Sequence, residues 1–176
     1  MHTFVIFFRG INVGGSNIIK MKDLKGTLEA AGFQDVQTYI QSGNVVLGSS
    51  EGNPQQVFKK ISSVVKQDFG IEPGLLVLDK KSLASAIKNN PFKEGEGRTI
   101  HFFFLESKPG RPDLQGLEKV RAVSEKYKLK EKVFYLFAPD GIGRSRLVPK
   151  VEKCMGVTTT ARNLNTVIKV LQMAGN

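Results

Sequence analysis

The stretch VQTYIQSGNVVLG at residues 36–48 decides the fold. Its two halves favour strands, one from Val36 to Gln41 and one from Asn44 to Gly48. Ser42 and Gly43 lie between them and are typical of a two-residue hairpin turn. The stretch therefore predicts two neighbouring antiparallel strands, and the segments on either side of this hairpin determine the architecture around it.

A strand and a helix are predicted on each side of the hairpin. Upstream, His2 to Arg9 (HTFVIFFR) has the composition of a buried strand, and Lys20 to Ala31 has the apolar periodicity of a helix. Downstream, Pro54 opens a helix that runs to about Phe69, and Leu75 to Leu78 favours a strand. The order β-α-β-β-α-β predicts a ferredoxin-like unit.

The second half of the chain begins with the same order. The predicted elements are strands at Thr99–Glu106, Tyr127–Leu129 and Lys132–Ala138, and helices at Asp113–Ser124 and Ser145–Met155. The chain then closes with a helix rather than a fourth strand, and Thr160 is predicted as the N-cap of that helix. We expect an α+β fold with a ferredoxin-like unit at residues 1–90 and a second related α+β unit at 91–176, whose C-terminal helix packs back on the first unit.

The composition excludes several classes of protein. The chain has 176 residues, of which 40% are hydrophobic and 24% charged, as in folded globular domains. A single cysteine, Cys154, excludes a disulfide framework and a cysteine-based zinc site. The apolar run from Phe4 to Phe8 is too short for a signal peptide or a membrane span. These features predict a cytoplasmic protein with no membrane partner.

The net charge leans towards the second half of the chain. The formal charge is +10, to which residues 1–90 contribute +3 and residues 91–176 contribute +7. The densest stretch, residues 119–132, holds Lys119, Arg121, Lys126, Lys128, Lys130 and Lys132. Such a surface binds nucleic acid or another polyanion, or it is a solvated face that keeps the protein soluble. The interspersed acids Glu125 and Glu131 favour the solvated face.

A glycine-rich loop, GINVGGSN at residues 10–17, separates the first predicted strand from the first helix. Backbone amides and a helix N-terminus at such a position can hold an anion. The spacing of Gly10 and Gly15 matches the first half of a P-loop, but Ser16 stands where the phosphate-binding lysine is required. The dinucleotide-binding fingerprint fails as well, and no cofactor is expected. The glycines either form an anion site or supply positive φ angles for a tight connection.

Three spaced segments of the chain together resemble a known protein family. They are RGINVGG at Arg9–Gly15, TYIQSGNVV at Thr38–Val46 and TTARNLNTV at Thr159–Val167, and Met21 and Leu24 follow the first of them. This combination resembles the domain-of-unknown-function family numbered 1697 over nearly the whole chain. The resemblance implies a bacterial-type cytoplasmic protein with an α+β fold built on a ferredoxin-like unit. It implies no particular activity, substrate or catalytic residue.

The three segments share Gly, Asn, Ser, Thr and Arg and contain no carboxylate. In a ferredoxin-like unit the first and third strands are adjacent and antiparallel, so Asn44 is expected near Arg9. Arg162, predicted in the first turn of the last helix, opposes the helix dipole and therefore needs an anionic or carbonyl partner. If that helix reaches the same edge, the segments form a cationic pocket for a phosphate or carboxylate. The predicted ligand-binding residues are Arg9, Asn12, Gly14, Gly15, Ser42, Asn44, Arg162 and Asn163.

A buried polar network is the alternative interpretation of these residues, and it would tie the C-terminal helix to the first unit. No catalytic motif is recognised, so the sequence leaves open whether the protein is an enzyme. His101 alternates within a hydrophobic strand and is interpreted as structural, and Cys154 is interpreted as a core residue. Asp140 and Glu152 show no pairing typical of an acid/base couple.

Three functions are compatible with these features. Binding of a small anionic ligand at the Gly/Asn/Arg segments ranks first. Nucleic-acid binding ranks second, because RNA-recognition domains of this topology stack bases on exposed strand aromatics. The aromatic residues considered for this role are Phe102, Phe103, Phe104, Phe134, Tyr135 and Phe137. A structural or protein-interaction module ranks third, and the oligomeric state is left open.

Overall fold

The computed structural model describes residues 1–175. They form two compact units, one made of Met1–Ala84 with the described residues from Lys169 onward, the other of Ser85–Ile168. Each unit contains one four-stranded antiparallel sheet with helices, which confirms the predicted α+β fold. The domain assignment from the sequence, with the last helix packed on the first unit, stays a prediction.

The first unit has the order β-α-β-β-α-β. Its elements are β1 (His2–Arg9), α1 (Met21–Ala30), β2 (Gln34–Tyr39), β3 (Asn44–Ser49), α2 (Pro54–Phe69) and β4 (Gly74–Asp79). The strands follow each other across the sheet as β2-β3-β1-β4, and every neighbouring pair is antiparallel. This is the ferredoxin-like arrangement, and every element predicted between residues 2 and 79 is present within two residues of its predicted bounds.

One face of this sheet packs on its two helices. Phe4, Ile6 and Phe8 alternate along β1 and belong to the same buried cluster as Leu24 of α1 and Ile61 of α2. The cluster forms because the apolar residues of each helix recur at the helical period and so share one side. The core of the first unit therefore lies between the sheet and the two helices.

The second unit repeats this topology completely. Following α3 (Lys80–Lys88), its elements are β5 (Ile100–Leu105), α4 (Leu114–Glu118), β6 (Lys126–Lys130), β7 (Val133–Phe137), α5 (Val151–Met155) and β8 (Thr159–Asn163). The last helix, α6 (Leu164–Met173), begins in this unit, and its residues from Lys169 onward belong to the first. The strand order β6-β7-β5-β8 is that of the first unit, with β5 in the place of β1. The second half is thus another ferredoxin-like unit, followed by a closing helix.

The sequence predicted no fourth strand in the second half of the chain, and this prediction was wrong. Residues 159–163 form β8, which pairs with β5 from Leu105 to His101. The closing helix begins three residues later than predicted, because Oδ1 of Asn163 accepts a hydrogen bond from the amide of Thr166 at 2.9 Å. Asn163, not Thr160, is therefore the N-cap, and Arg162 lies in a strand rather than in the first helical turn.

The helix predicted from Asp113 to Ser124 ends at Glu118. Beyond it, Nη1 of Arg121 donates hydrogen bonds to the carbonyl oxygens of Ala122 (3.2 Å) and Glu125 (2.7 Å). The amide of Ala122 donates to Oε2 of Glu125 at 3.0 Å. These side chains bind backbone groups that a longer helix would pair internally, so the chain turns instead.

The helix predicted from Ser145 to Met155 is confined to its last five residues. A short 3₁₀ turn, Val148–Lys150, precedes α5. Pro149 lies in this turn, where its missing amide hydrogen and fixed ring interrupt the regular α-helical hydrogen bonds. Ser145 fits the same break, since its hydroxyl oxygen accepts from the amide of Leu147 at 3.2 Å.

Candidate functional site

Two connections of the first unit meet at one end of its sheet. Residues 10–20 connect β1 to α1, and residues 40–43 connect β2 to β3. Phe7 lies opposite Asn44 in the sheet register, and the amide of Phe8 donates to the carbonyl oxygen of Gly43 at 2.8 Å. The end of β1 therefore lies beside the start of β3, as the sequence predicted.

The glycine-rich loop is a small hairpin. The amide of Asn12 donates to the carbonyl of Asn17, and the amide of Ser16 to the carbonyl of Val13, both at 3.1 Å. Gly14 and Gly15 form the tip, with φ angles of 58° and 77°. Positive φ at both central residues is what a type I′ turn requires, and glycine adopts it without strain. Backbone conformation thus explains the glycine pair, and its role in anion binding stays a prediction.

Asn12 holds this hairpin against its surroundings. Its Nδ2 donates to the carbonyl oxygens of Ile19 (2.9 Å) and Gln41 (2.8 Å), and its Oδ1 accepts from the amide of Ile19 at 2.8 Å. These bonds connect the hairpin to the residues that precede α1 and to the β2-β3 connection. Both side-chain donors of Asn12 are used in this way, so its primary role in this arrangement is to fix the loop.

The β2-β3 connection is also tightly packed. It spans four residues, 40–43, rather than the two that the sequence predicted, because β2 already ends at Tyr39. Asn44 is fully buried, and its Nδ2 donates to the carbonyl of Tyr39 and to Oγ of Ser42, both at 3.0 Å. Among the predicted site residues, Ser42 and Asn44 are thus brought together, and their mutual bond stabilises the turn.

At Gly43 the β2-β3 connection lies closely against Phe8 of β1 and Ile11 of the glycine-rich loop. Its φ is 78°, and a Cβ there would lie 2.6 Å from both the Cβ of Phe8 and the Cδ1 of Ile11. Only glycine fits such a contact without a shift of the neighbouring side chains. The turn is therefore seated directly on β1 and on the start of the hairpin loop.

Arg162 and Asn163 belong to the second unit. Arg162 lies opposite Phe102 on β5, and its Nη1 donates to the carbonyl of Ala161 at 2.8 Å. Burial lowers the pKa of the Arg162 guanidinium to about 10, because desolvation penalises the charged form. Asn163 caps α6 through its side-chain oxygen. The participation of these two residues in one pocket with Arg9, Asn12 and Asn44 stays a prediction.

The N-terminus of α1 contains two cations, Lys20 and Lys22, which are not among the predicted site residues. Lys20 is the N-cap residue, and no side chain in the described part of the chain caps this helix by a hydrogen bond. The other helices of ten residues or more, and two shorter ones, have a side-chain cap, from Asn53, Asp79, Asp113 and Asn163. The sequence itself indicates this uncapped helix start, because no Ser, Thr, Asp or Asn directly precedes Met21.

The family model described as "Protein of unknown function (DUF1697)" matches residues 1–135 of the chain. The chain belongs to this family. The match contains the first two of the three segments that carried the resemblance, and the family's description assigns it no activity. No curated protein matches the chain.

Among solved structures, the DUF1697 chain is similar to the conserved bacterial protein SP0830 from Streptococcus pneumoniae. The similarity covers 98% of each chain, with a TM-score of 0.77 and 23% sequence identity. At this level of identity the likeness shows the fold alone. It extends over both ferredoxin-like units, including the part of the chain that follows the family match.

The strand aromatics of this DUF1697 protein do not form an exposed stacking platform. Five of the six candidates are buried, with exposed fractions of 4% or less, and Phe137 is half-buried. Phe102 and Tyr135 meet edge to face at 4.8 Å, and Phe103 and Phe134 at 5.8 Å. The five buried rings on β5 and β7 therefore serve packing, and they offer no surface on which a base could stack.

The remaining candidate side chains are isolated from one another. His101 is buried on β5, and its Nε2 has no hydrogen-bond partner within residues 1–175. Within the same residues, no three or more His, Cys, Asp or Glu side chains are grouped so as to hold a metal ion, and Cys154 is a free thiol. None of the helices described is long and apolar enough to cross a bilayer.

Proposed function

We propose that this DUF1697 protein binds a small anionic ligand, carrying a phosphate or carboxylate group, at the loop end of its first unit. The loop end comprises residues 9–22 and 40–44. The observation that carries the proposal is the start of α1 at Met21, where the described side chains provide no cap. Within residues 9–22, which contain this helix start, the charged residues are Arg9, Lys20 and Lys22, all of them cations.

Electrostatics favour an anion at this position. The unpaired amides of a first helical turn carry a partial positive charge, about half an elementary charge in total. Lys20 and Lys22 are exposed on either side of Met21. Asp23 lies in the first turn and offsets part of this charge, but its side chain does not cap the helix. An anion at an exposed helix N-terminus contributes about 0.3 to 1 kcal/mol, and each exposed lysine adds about 0 to 1 kcal/mol, so we expect weak binding with a Kd of about 10 mM or higher.

The rest of the loop end supports the site as a scaffold. Asn12 fixes the hairpin beside Ile19, two residues before α1 begins. Gly14 and Gly15 are exposed at the tip and have no side chains that would block an approaching ligand. In this proposal Ser42 and Asn44 hold the neighbouring turn in place. The desolvated guanidinium of Arg162 and the amide of Asn163 are the further groups that we predict for ligand binding.

A thermal-shift screen with inorganic phosphate, acetate, phosphosugars and nucleotides tests the proposal. At tenfold the Kd, a ligand specific for the folded state stabilises it by about 1.4 kcal/mol. For a chain of this length that corresponds to a rise in Tm of about 3 to 6 °C. If no compound of this set raises the Tm, the proposal is wrong.

The variant Lys20→Asp tests whether the ligand binds at the N-terminus of α1. Aspartate at the N-cap accepts hydrogen bonds from the first-turn amides and brings its own negative charge, so it occupies the position proposed for the ligand. We expect the variant to lose the response to phosphate while the Tm without ligand is unchanged or higher. Lys59→Asp makes the same charge change at an exposed position of α2 and is expected to keep the response. A response that survives in Lys20→Asp would contradict this location.

We further propose that the protein acts in the cytoplasm. Its single cysteine is half-buried and unpaired, which suits a reducing compartment, where structural disulfides are rare.

A further inference from the structure

A row of lysines lies along β6, one edge of the second sheet. The strand reads KYKLK, and its even positions Lys126, Lys128 and Lys130 alternate with Tyr127 and Leu129. Tyr127 and Leu129 pack against the core of the second unit, so the three lysines share the opposite face. At about 3.4 Å per residue, neighbouring lysines are about 7 Å apart and the row is about 14 Å long.

The acidic side chains near this strand bind groups other than the β6 lysines. Glu125 is buried and accepts a hydrogen bond from the amide of Ala122 at 3.0 Å. Glu131 pairs with Lys108 at 3.0 Å, and Glu118 pairs with Arg121 at 2.6 Å. The interspersed acids, which favoured a merely solvated face in the sequence, therefore do not neutralise the lysines of β6.

The lysines themselves remain available. Lys126 and Lys128 are exposed, and neither forms a hydrogen bond or ion pair with any residue between 1 and 175. Lys130 is half-buried, and its Nζ donates to the carbonyl oxygen of Asn89 at 2.7 Å, which leaves further ammonium hydrogens for another acceptor. The row thus presents three positive charges in a line.

An aromatic pair adjoins one end of the row. Phe137 lies opposite Lys126 in the sheet register and so on the same face. Its ring is tilted by 34° against that of Phe92, at a centroid distance of 6.1 Å. Both rings are half-buried, in contrast to the buried rings of β5. Cationic tracks with adjoining aromatic rings are typical of surfaces that bind single-stranded nucleic acids.

We propose that this β6 face, formed by Lys126, Lys128, Lys130, Phe92 and Phe137, binds single-stranded nucleic acid. Backbone phosphates contact the lysines along the strand, and a base stacks at the phenylalanine pair. A single strand fits better than a membrane, since the row is one lysine wide and a bilayer surface requires a broad basic patch. It fits better than a duplex, since stacking on phenylalanine requires an unstacked base. This site is independent of the small-anion site of the first unit.

The salt dependence of binding tests the lysine row. Binding of a fluorescent oligo-dT or oligo-U strand of about 12 nucleotides is measured by anisotropy between about 50 and 200 mM salt. Each phosphate contact contributes about 0.7 to the slope of log K against log salt. The triple variant Lys126→Gln, Lys128→Gln, Lys130→Gln is expected to reduce the magnitude of that slope by about 2. If this variant does not fold, the double variant at 126 and 128 is expected to reduce it by about 1.4.

A matched control separates a defined track from total charge. Lys59→Gln, Lys81→Gln, Lys153→Gln removes the same charge from three exposed positions outside β6 and is expected to leave the slope unchanged. Phe92→Leu keeps the apolar volume but removes the aromatic face. We expect it to weaken binding about fivefold with the slope unchanged, because stacking is not an ionic contact.

Three outcomes would overturn the proposal. One is the absence of binding at the lowest salt concentration. Another is an equal loss of slope in the control triple variant, which would mean that the β6 lysines only keep the sheet edge from pairing with other chains. The third is a preference for phosphatidylserine vesicles over the oligonucleotide, abolished by the β6 triple variant, which would make the face a membrane contact.

Discussion

Among single side chains, His101 carries an uncompensated cost of burial. Its exposed fraction is 6%, and its Nε2 has no hydrogen-bond partner among the described residues. An unpartnered buried polar atom costs about 1 to 3 kcal/mol, since it loses water without gaining another bond. Burial also lowers the pKa of the imidazole, because desolvation disfavours the protonated form.

We therefore expect His101→Leu to raise the free energy of unfolding by about 1 kcal/mol at neutral pH. In the wild type the folded-state pKa lies below the ordinary 6.5, so near and below that pH the unfolded state binds more protons. Stability then falls as the pH drops through 6.5 towards the lowered pKa, and this loss should be absent in His101→Leu. Urea unfolding at about pH 5 and about pH 7.5 measures both effects.

Two controls accompany this substitution. His101→Gln keeps a polar group at the buried position and should not gain stability. His2→Gln removes the other histidine of the chain, which is exposed, and should leave the wild-type loss of stability in acid intact. A variant His101→Leu with the same pH dependence as the wild type would contradict this account.

At the level of helices and strands, local signals account for what the sequence predicted correctly. The bounds of α2 were predicted without error, because Asn53 caps its first turn and Gly70 ends it with a φ of 69°. Both signals depend on a few neighbouring residues. The strand β8 was missed because its last residues, Ala161 to Asn163, are not typical of a strand, and its pairing with the distant β5 stabilises it.

The same distinction applies to the candidate site. Asn12 and Asn44 were recognised as unusual polar residues in recurrent segments. Their partners are backbone carbonyls of Ile19, Gln41 and Tyr39, and the identity of a residue does not reveal which carbonyl its side chain will meet. The sequence therefore identified the residues that organise the loop end, but not the backbone groups that their side chains bind.

The β2-β3 connection allows a test of how the loop end is held. Gly43→Ala combines a strained positive φ with a Cβ that meets Phe8 and Ile11 at 2.6 Å. Strain of about 1 kcal/mol and overpacking of about 1 to 3 kcal/mol predict a loss of stability of about 2 to 4 kcal/mol. Gly70→Ala has a similar φ of 69° but open space around its Cβ, so it should cost only about 1 kcal/mol.

Chemical denaturation of both alanine variants gives the comparison. Because conformational strain is common to both, the difference between them reports the contact of the turn with Phe8 and Ile11. Equal losses in the two variants would mean that the turn is not seated on β1 as the structure has it.

Across the chain as a whole, burial explains how two units with different sequences share one topology. The central strands β1 and β5 are apolar almost throughout, and all residues from Phe4 to Phe8 and from Ile100 to Leu105 are buried. Strands covered on both faces are typically continuous apolar runs, not alternating ones. Such a run, flanked by a helix and a hairpin, specifies a central position in the sheet without any residue-by-residue repeat.

The four edge strands differ in how they avoid pairing with other molecules. The strand β6 has its lysines, β8 has Arg162, and β2 has a register shift between Gln34 and Gln37. Charges and irregularities of this kind keep sheet edges from pairing with further chains. Within residues 1–175, the strand β4, GLLVLD, pairs only with β1 in its sheet, and it has no charge before its last residue, Asp79.

We therefore expect self-association at high protein concentration to proceed through β4. Leu76→Lys places a charge in the middle of this strand, and its flexible stem lets the ammonium reach water, so association should decrease. Lys128→Leu removes the central lysine of β6 and should increase association, because it leaves that edge with less charge. Static light scattering over a concentration series, without nucleic acid, measures both variants against the wild type. If Leu76→Lys associates as strongly as the wild type while remaining folded, β4 is not the edge through which the molecules meet.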